Sequence, residues 1–399
     1  MADNDIVIIA GCRTPIGSFG QSLKDVKGFQ LAALVMQEAL KRAGVEGKDL
    51  SDVIFGNCMM GSDEANVART AALKAGIPVE VPATSVQRQC ASGMTATVFG
   101  SQQIIAGDSD IVLTGGVESM SNAFYVLKQA RWGARLTHGE LTDSMWELLH
   151  SGSGLLGEPY IMGQRAENLA EKYNISREDQ DQVAFESHRK AIAAIDSGRF
   201  KDEIVPVPIP QRKGEPKMFV NDEHARRDIT MESLAALKPA FKKTGTVTAG
   251  NASGLNDGAA ALVLTTAKRA KEIGAKPLAR LAGNAFAGCE PHLMGYGPVP
   301  AVTKLLKKTG KKLSDIDLFE CNEAFAAQYL SVERGLGLDR SKVNLNGSGI
   351  ALGHPVGCTG ARLIVSLIYE MKKRGSKQGI ATLCVGGGMG AAVLIENIQ

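Results

Sequence analysis

The sequence predicts an α/β fold built twice, with a long insertion in its first half. One order of elements occurs near the start and again near the end: an amphipathic helix, a Gly stop, a Leu-Ser-Asp turn and an apolar strand. Further along each copy, a Gly-rich turn carrying Cys or His opens a helix, and a buried-looking strand then runs into glycines. Residues 121–245 look different, holding most of the Trp and His and many charges.

In chain order, Ile6–Ala10 reads as a first strand, being too short and too poorly flanked by positive charge for a signal peptide. Leu31, Leu34, Val35 and Leu40 form a helical face that stops at Gly44. Leu50-Ser51-Asp52 then leads into the strand Val53-Ile54-Phe55. The turn Cys90-Ala91-Ser92-Gly93 precedes a predicted helix over 94–106, closed by Gly107, and Ile111–Gly116 is the next strand. In the insertion, Ser176 caps a helix running to Ala194, with Asp179 in the capping-box position. The alternating prolines of Val205–Pro210 suit an extended edge segment and no central strand.

The second copy begins with Val302, Leu305 and Leu306, which end at Gly310. Leu313-Ser314-Asp315, Ile316 and Leu318-Phe319 follow, then Gly353-His354-Pro355-Val356-Gly357, then a strand from Ile380 to Cys384 before Gly386–Gly388. Ser51 and Ser314 are 263 residues apart and Ile111 and Ala381 270 apart, so order and spacing both persist. The expected division is a first half over 1–120 completed by about 246–272, an insertion over 121–245 that binds a ligand, and a second half over 273–399. Two unrelated α/β segments with similar turns are the alternative.

A length of 399 residues fits more than one core, with 44% hydrophobic and 22% charged residues. No run approaches a membrane span, and the C-terminal Asn397-Ile398-Gln399 is not a peroxisomal address. A net charge of +3 permits a basic site for an anion and does not point to nucleic acid. Seven scattered cysteines without a CxxC pair suggest neither a disulfide framework nor a zinc site. A reducing compartment follows, cytoplasmic in a bacterium or the mitochondrial matrix in a eukaryote.

Four segments carry chemistry. Cys90, just before a helix, has the positive end of the backbone dipoles to favour its thiolate, and small neighbours that leave room for substrate. His354 stands on a rigid Gly-Pro turn that suits a positioned base. Cys384 ends a strand beside three glycines whose N–H groups could hold an oxyanion. Asn322-Glu323 follows an apolar strand. Taken singly, Cys90 reads equally as a core cysteine, Cys384 reads more readily as one, and Asn322 reads equally as a helix cap. The other histidines, at 138, 150, 188, 224 and 292, read as solvated.

Together these segments resemble the thiolases over essentially the whole chain. The motifs are Gly245–Gly254 (GTVTAGNASG), Asn322-Glu323-Ala324-Phe325-Ala326, Gly353–Gly357 and Cys384–Gly388, in that order. The resemblance implies a duplicated five-layered α/β/α/β/α fold with an inserted loop domain. It also implies reversible thiolysis of a 3-oxoacyl-CoA by CoA, with acetoacetyl-CoA synthesis as the short-chain alternative. Cys90 would be the acylated nucleophile, and His354 its activator and a donor to the thioester oxygen. Asn322 would hold a water, Cys384 would serve as acid/base, and the N–H groups of Cys90 and Gly386 would form a second oxyanion hole. Arg226, Ser233, Ser253, Met162, Met294 and Phe325 would contact CoA. Neither a metal nor a covalently bound cofactor is needed; CoA and acyl-CoA enter as substrates.

Two departures from the family pattern stand out: Ile161 replaces the His of short-chain relatives, leaning toward longer chains, and Ser348 replaces a Gly. The segments around Asp222–Arg226 and Ala287–Pro300 are most similar to mitochondrial-type 3-ketoacyl-CoA thiolases. Arg131–Arg135 corresponds to a tetramer-building loop, implying a homotetramer. A β-ketoacyl synthase would lack Cys384. A silent thiolase-fold subunit is disfavoured because Cys90, His354, Asn322 and Cys384 are all present, and a Cys/His/Asn hydrolase is disfavoured by the repeat.

Overall fold

The structure, a computed structural model, describes residues 1–61, 63–136, 138–151, 153–157 and 160–398; Gln399 of the C-terminal tripeptide lies outside them. No helix among the described residues is long and apolar enough to cross a membrane.

One large mixed sheet runs through the molecule. From edge to edge its strands are Leu318–Cys321, Gln378–Val385, Met389–Asn397, Ala279–Gly288, Ile6–Arg13, Asn256–Thr266, Ile111–Ser119, Asp52–Gly56 and Ala83–Val86. Within the sheet the two sides are joined where Val7 pairs with Arg280 and Ile8 with Ala279. Outward from this seam each side repeats one pattern: two antiparallel pairings, then a parallel one.

The repeat also holds in local geometry, at a spacing that letter matching misses. Gly44 and Gly310 are both left-handed helix caps, with φ of 64° and 66°. A 3-10 turn follows each (Gly47–Asp49 and Leu313–Asp315), closed by the N–H of Leu50 on Gly47 O and of Ile316 on Leu313 O. Leu50 and Ile316 are therefore equivalent, 316 − 50 = 266 residues apart. The two Leu-Ser-Asp triplets lie three residues out of register, because the first follows the turn while the second forms it. The expected offset of 263 is thus too short and that of 270 too long: Val53 pairs with Leu113 as Phe319 does with Ile380, so Leu113 and Ile380 correspond, 380 − 113 = 267.

Alternation along the strands sorts side chains into stacked cores. Val7 and Ile9 face an outer core with Leu31, Val35 and Met36 of the Gly28–Ala43 helix. Ile6 and Ile8 face a central core with Met94 and Leu363. In the second half Ala381 and Leu383 point to that central core, whereas Ile380 and Cys384 point to the opposite outer one. The central layer consists of the helices Ser92–Ala106 and Val356–Arg374, packed on each other and against both sides of the sheet. With Gly28–Ala43 outside one half and Pro298–Thr309 outside the other, five layers result.

In the insertion, Ser176 Oγ accepts from Asp179 N at 3.0 Å and the helix runs Arg177–Asp196, two residues beyond expectation. The strand Val207–Ile209 pairs only with Lys217–Phe219, which keeps the alternating prolines off the main sheet.

Candidate active site

Three glycines bring the two sequence-predicted centres together. The central helices start at Ser92 and Val356, directly after the Cys90 and His354 turns. At this junction a methyl group on Gly93 would stand 2.9 Å from Gly357 O, and one on Gly357 would stand 2.6 Å from Val117 O. A methyl on Gly116 would overlap Gly357 O and lie 2.9 Å from Gly93 Cα. Backbone thus meets backbone where the helices leave the Ile111–Ser119 strand, which only glycine allows.

Glu118 ties the same junction with hydrogen bonds. Its buried carboxylate accepts from Cys58 N (3.0 Å), Met59 N (3.1 Å), Asn57 Nδ2 (2.8 Å) and Gly357 N (2.9 Å). Burial pushes this carboxyl up to about 7 against the pull of those donors. Cys58 Sγ in turn donates to Gln89 O at 2.8 Å. The Ser92 hydroxyl accepts from Arg88 N and donates to Gln89 O, at 2.9 and 2.6 Å. These bonds hold Gln89 at a φ of 45°, a strained value for a non-glycine residue, and so aim Cys90.

Burial pushes the Cys90 thiol up to about 11, offset in part by the backbone N–H groups of Gly386 and of Cys90 itself, which face the sulfur. Desolvation thus outweighs the helix end, and the thiol keeps its proton until a base such as His354 removes it. Burial, with the Arg362 charge second, drives His354 down to about 3, so its imidazole is neutral. His354 Nδ1 lies 2.7 Å from Thr359 Oγ1, whose own proton goes to Pro355 O at 2.9 Å. This leaves Nδ1 as the N–H and Nε2 as the free lone pair, the tautomer a base needs. Asn322 Nδ2 is 3.4 Å from the same Nδ1, while its buried Oδ1 has no protein partner. Cys384 is held well above the usual thiol range by burial, then by the neighbouring Cys90, Cys321 and Cys289.

Cys90, His354 and Cys384 line one cavity of about 430 Å³, walled mainly by apolar groups including Met120, Leu148, Leu149, Ile161 and Val356. Of the residues expected to contact CoA, Arg226, Ser253, Met162, Met294 and Phe325 line it too. Ser233 does not; it is exposed and closes a capping box with Thr230. Two histidines expected to be solvated are not. His188 is 2% exposed and accepts from Arg226 N, and His224 lines the cavity. Ser348 has a φ of −146°, which makes no demand for glycine. Among the described residues, no group of three or more His, Cys, Asp or Glu could hold a metal ion.

Comparison with known proteins gives the family. Residues 6–268 match the family model "Thiolase, N-terminal domain" and residues 275–397 the model "Thiolase, C-terminal domain". The chain belongs to the thiolase family. It is 50% identical over 398 residues to the acetyl-CoA acetyltransferase of Syntrophomonas wolfei, covering 99% of each chain. The crystal structure of the Bacillus anthracis acetyl-CoA acetyltransferase is 55% identical, with a TM-score of 0.97 and 100% coverage of both chains. Human mitochondrial 3-ketoacyl-CoA thiolase in complex with CoA is 43% identical with a TM-score of 0.94, covering 99% of this chain and 98% of that one.

Sequence reasoning about this thiolase missed Glu118, Cys58, Thr359 and the His224 wall. One signal was available: an acid placed after Gly115-Gly116-Val117 in an apolar strand demands buried partners. Nothing local distinguishes Cys58 or His224.

Proposed function

We propose that this thiolase cleaves a 3-oxoacyl-CoA with CoA, reversibly, to acetyl-CoA and a shortened acyl-CoA through a Cys90 acyl-enzyme. The observation that carries the reading is one apolar cavity shared by Cys90, His354 and Cys384, with two backbone N–H groups facing the Cys90 sulfur.

His354 Nε2 takes the Cys90 proton as the sulfur attacks the 3-oxo carbon. The bond between C2 and C3 breaks, its electron pair forms the acetyl-CoA enolate, and the Cys384 thiol protonates C2. The enolate oxygen is stabilised by protonated His354 and by a water held on Asn322 Oδ1, the buried acceptor without a protein partner. Cys384, now a thiolate, removes the proton of incoming CoA. The CoA sulfur attacks the acyl-enzyme, and its oxyanion rests on the N–H groups of Cys90 and Gly386. When that intermediate collapses, shortened acyl-CoA leaves and the proton on His354 returns to Cys90. Arg226 and Ser253 suit the anionic and amide parts of CoA, and Met162, Met294 and Phe325 its aliphatic arm; Ser233 would act outside the cavity. Homotetramer assembly is supported by the surface segment Arg131–Arg135, whose Trp132 is 83% exposed. The division into two halves around an insertion is supported by the repeated strand order, and a cytoplasmic location by the bacterial relatives.

A second reading, condensation of two acetyl-CoA to acetoacetyl-CoA, is favoured by relatives named acetyl-CoA acetyltransferase. The apolar Ile161 wall favours longer chains. Thiolysis of acetoacetyl-CoA beside 3-oxo-octanoyl-CoA separates them. Faster turnover of the longer substrate supports the first reading, preference for acetoacetyl-CoA the second, and no turnover of either refutes both.

A further inference from the structure

The Asp222-Glu223-His224 segment is pinned to the first half at every residue. Arg13 forms a paired contact with Asp222, at 2.7 and 3.0 Å, with both side chains fully buried. Asp222 Oδ1 also accepts from Ile16 N at 2.8 Å. Glu223 Oε1 accepts from Ser18 N at 2.8 Å and Oε2 from the Ser22 hydroxyl at 2.6 Å. His224 Nδ1 is 3.1 Å from Ser18 Oγ. Arg13 stands at the end of a core strand and also pairs with buried Glu203 at 2.6 Å, so these buried charges fix the loop to the sheet.

What the loop presents is an imidazole in the cavity wall. A methyl on Gly254 would meet His224 Cε1 at 2.5 Å and Nε2 at 2.9 Å, so the ring lies against the Ser253-Gly254 turn. No hydrogen bond reaches Nε2 among the described residues. Burial, then the Arg226 charge, lowers the ring to about 4, so it is neutral near pH 7. The cavity's other polar side chains mostly have tasks already: Cys90, His354 and Cys384 the chemistry, Arg226 and Ser253 the CoA body.

Resting on the thiolase reading above, we infer that His224 Nε2 hydrogen-bonds an amide of the pantetheine arm and so positions CoA in the cavity. An amide fits either tautomer. If the Ser18 hydroxyl donates to Nδ1, Nε2–H donates to the amide carbonyl; if Nδ1–H donates to Ser18, Nε2 accepts the amide N–H. A 3-oxo or thioester carbonyl could pair with only one of these states. His224 is thus a binding residue and takes no part in proton transfer.

The test is thiolysis kinetics with acetoacetyl-CoA and CoA, plus calorimetric titration with CoA, for wild type, His224→Phe, His224→Gln and Ser18→Ala. One neutral hydrogen bond corresponds to about a tenfold effect. His224→Phe should raise KM and Kd for CoA about tenfold while kcat falls less than threefold. His224→Gln, whose amide reaches the Nε2 position, should recover part of the loss. An unchanged CoA affinity in His224→Phe, or a loss confined to kcat, overturns the inference. Should the Phe variant fail to fold, Ser18→Ala decides, since it frees the ring without touching the cavity: an unchanged KM overturns the inference. A wild type that binds CoA yet turns over no 3-oxoacyl-CoA sinks the functional reading instead.

Discussion

Replacing Gly116 by Ala probes the contact that sets the distance between nucleophile and base. The added methyl would overlap Gly357 O and stand 2.9 Å from Gly93 Cα, and all these atoms are backbone, so no side chain can swing aside. The Val356–Arg374 helix must withdraw, stretching the 2.9 Å bond from Gly357 N to Glu118 Oε2. Overpacking costs about 1–3 kcal/mol and a weakened bond to a buried carboxylate about 1.5–3 kcal/mol, so a total of about 2.5–6 kcal/mol is expected. A shift of about 1 Å between His354 and Cys90 should lower kcat about 100-fold. Urea unfolding and steady-state thiolysis measure both effects. Gly11→Ala is the control, because a methyl there meets its nearest neighbour, Val365 Cγ2, at an ordinary 3.4 Å. Wild-type kcat and stability in Gly116→Ala would refute the reasoning, as would an equal loss in Gly11→Ala.

Stability should depend on pH through buried acids. Burial raises Glu118 to about 7 and Glu320 to about 8, so the folded chain keeps these protons where the unfolded chain has lost them. Their stabilising effect is complete below about pH 4.5 and is lost as pH rises toward 8, by about 1.4 kcal/mol per unit per group. The urea midpoint should fall between pH 6 and 8.5, and less steeply in Glu320→Gln; an unaltered slope in that variant contradicts the assignment. Cys384→Ala should lose carbon–carbon cleavage at least 100-fold, and retained cleavage rules Cys384 out as the acid. Arg226→Ala should raise KM for CoA about tenfold, with a smaller effect on a truncated thioester lacking the CoA phosphates.

The legible part of this protein lay in short-range signals. Gly44, Gly107 and Gly310 marked helix ends, alternation marked strands, and the Cys90 and His354 turns marked the site. The registers of the repeat were misread because Leu-Ser-Asp suits both a 3-10 turn and the residues after one, and only backbone bonding distinguishes them. At Cys90 the direction of the helix dipole is visible in sequence, whereas the burial that outweighs it is not. His188 and His224 were misread for the same reason: their polar chain neighbours say nothing of the core that folds over them. Glu118 acts on Cys58 and Gly357, which are 60 and 239 residues away.

The central claim is that Cys90 stores the acyl group. Brief incubation with acetyl-CoA, acid quenching, proteolysis and mass spectrometry test it most directly. The account predicts an acetyl increment on the peptide containing Cys90, absent from Cys90→Ala and removed by added CoA. No adduct, or one on the peptide containing Cys384 with Cys90 unmodified, would contradict it.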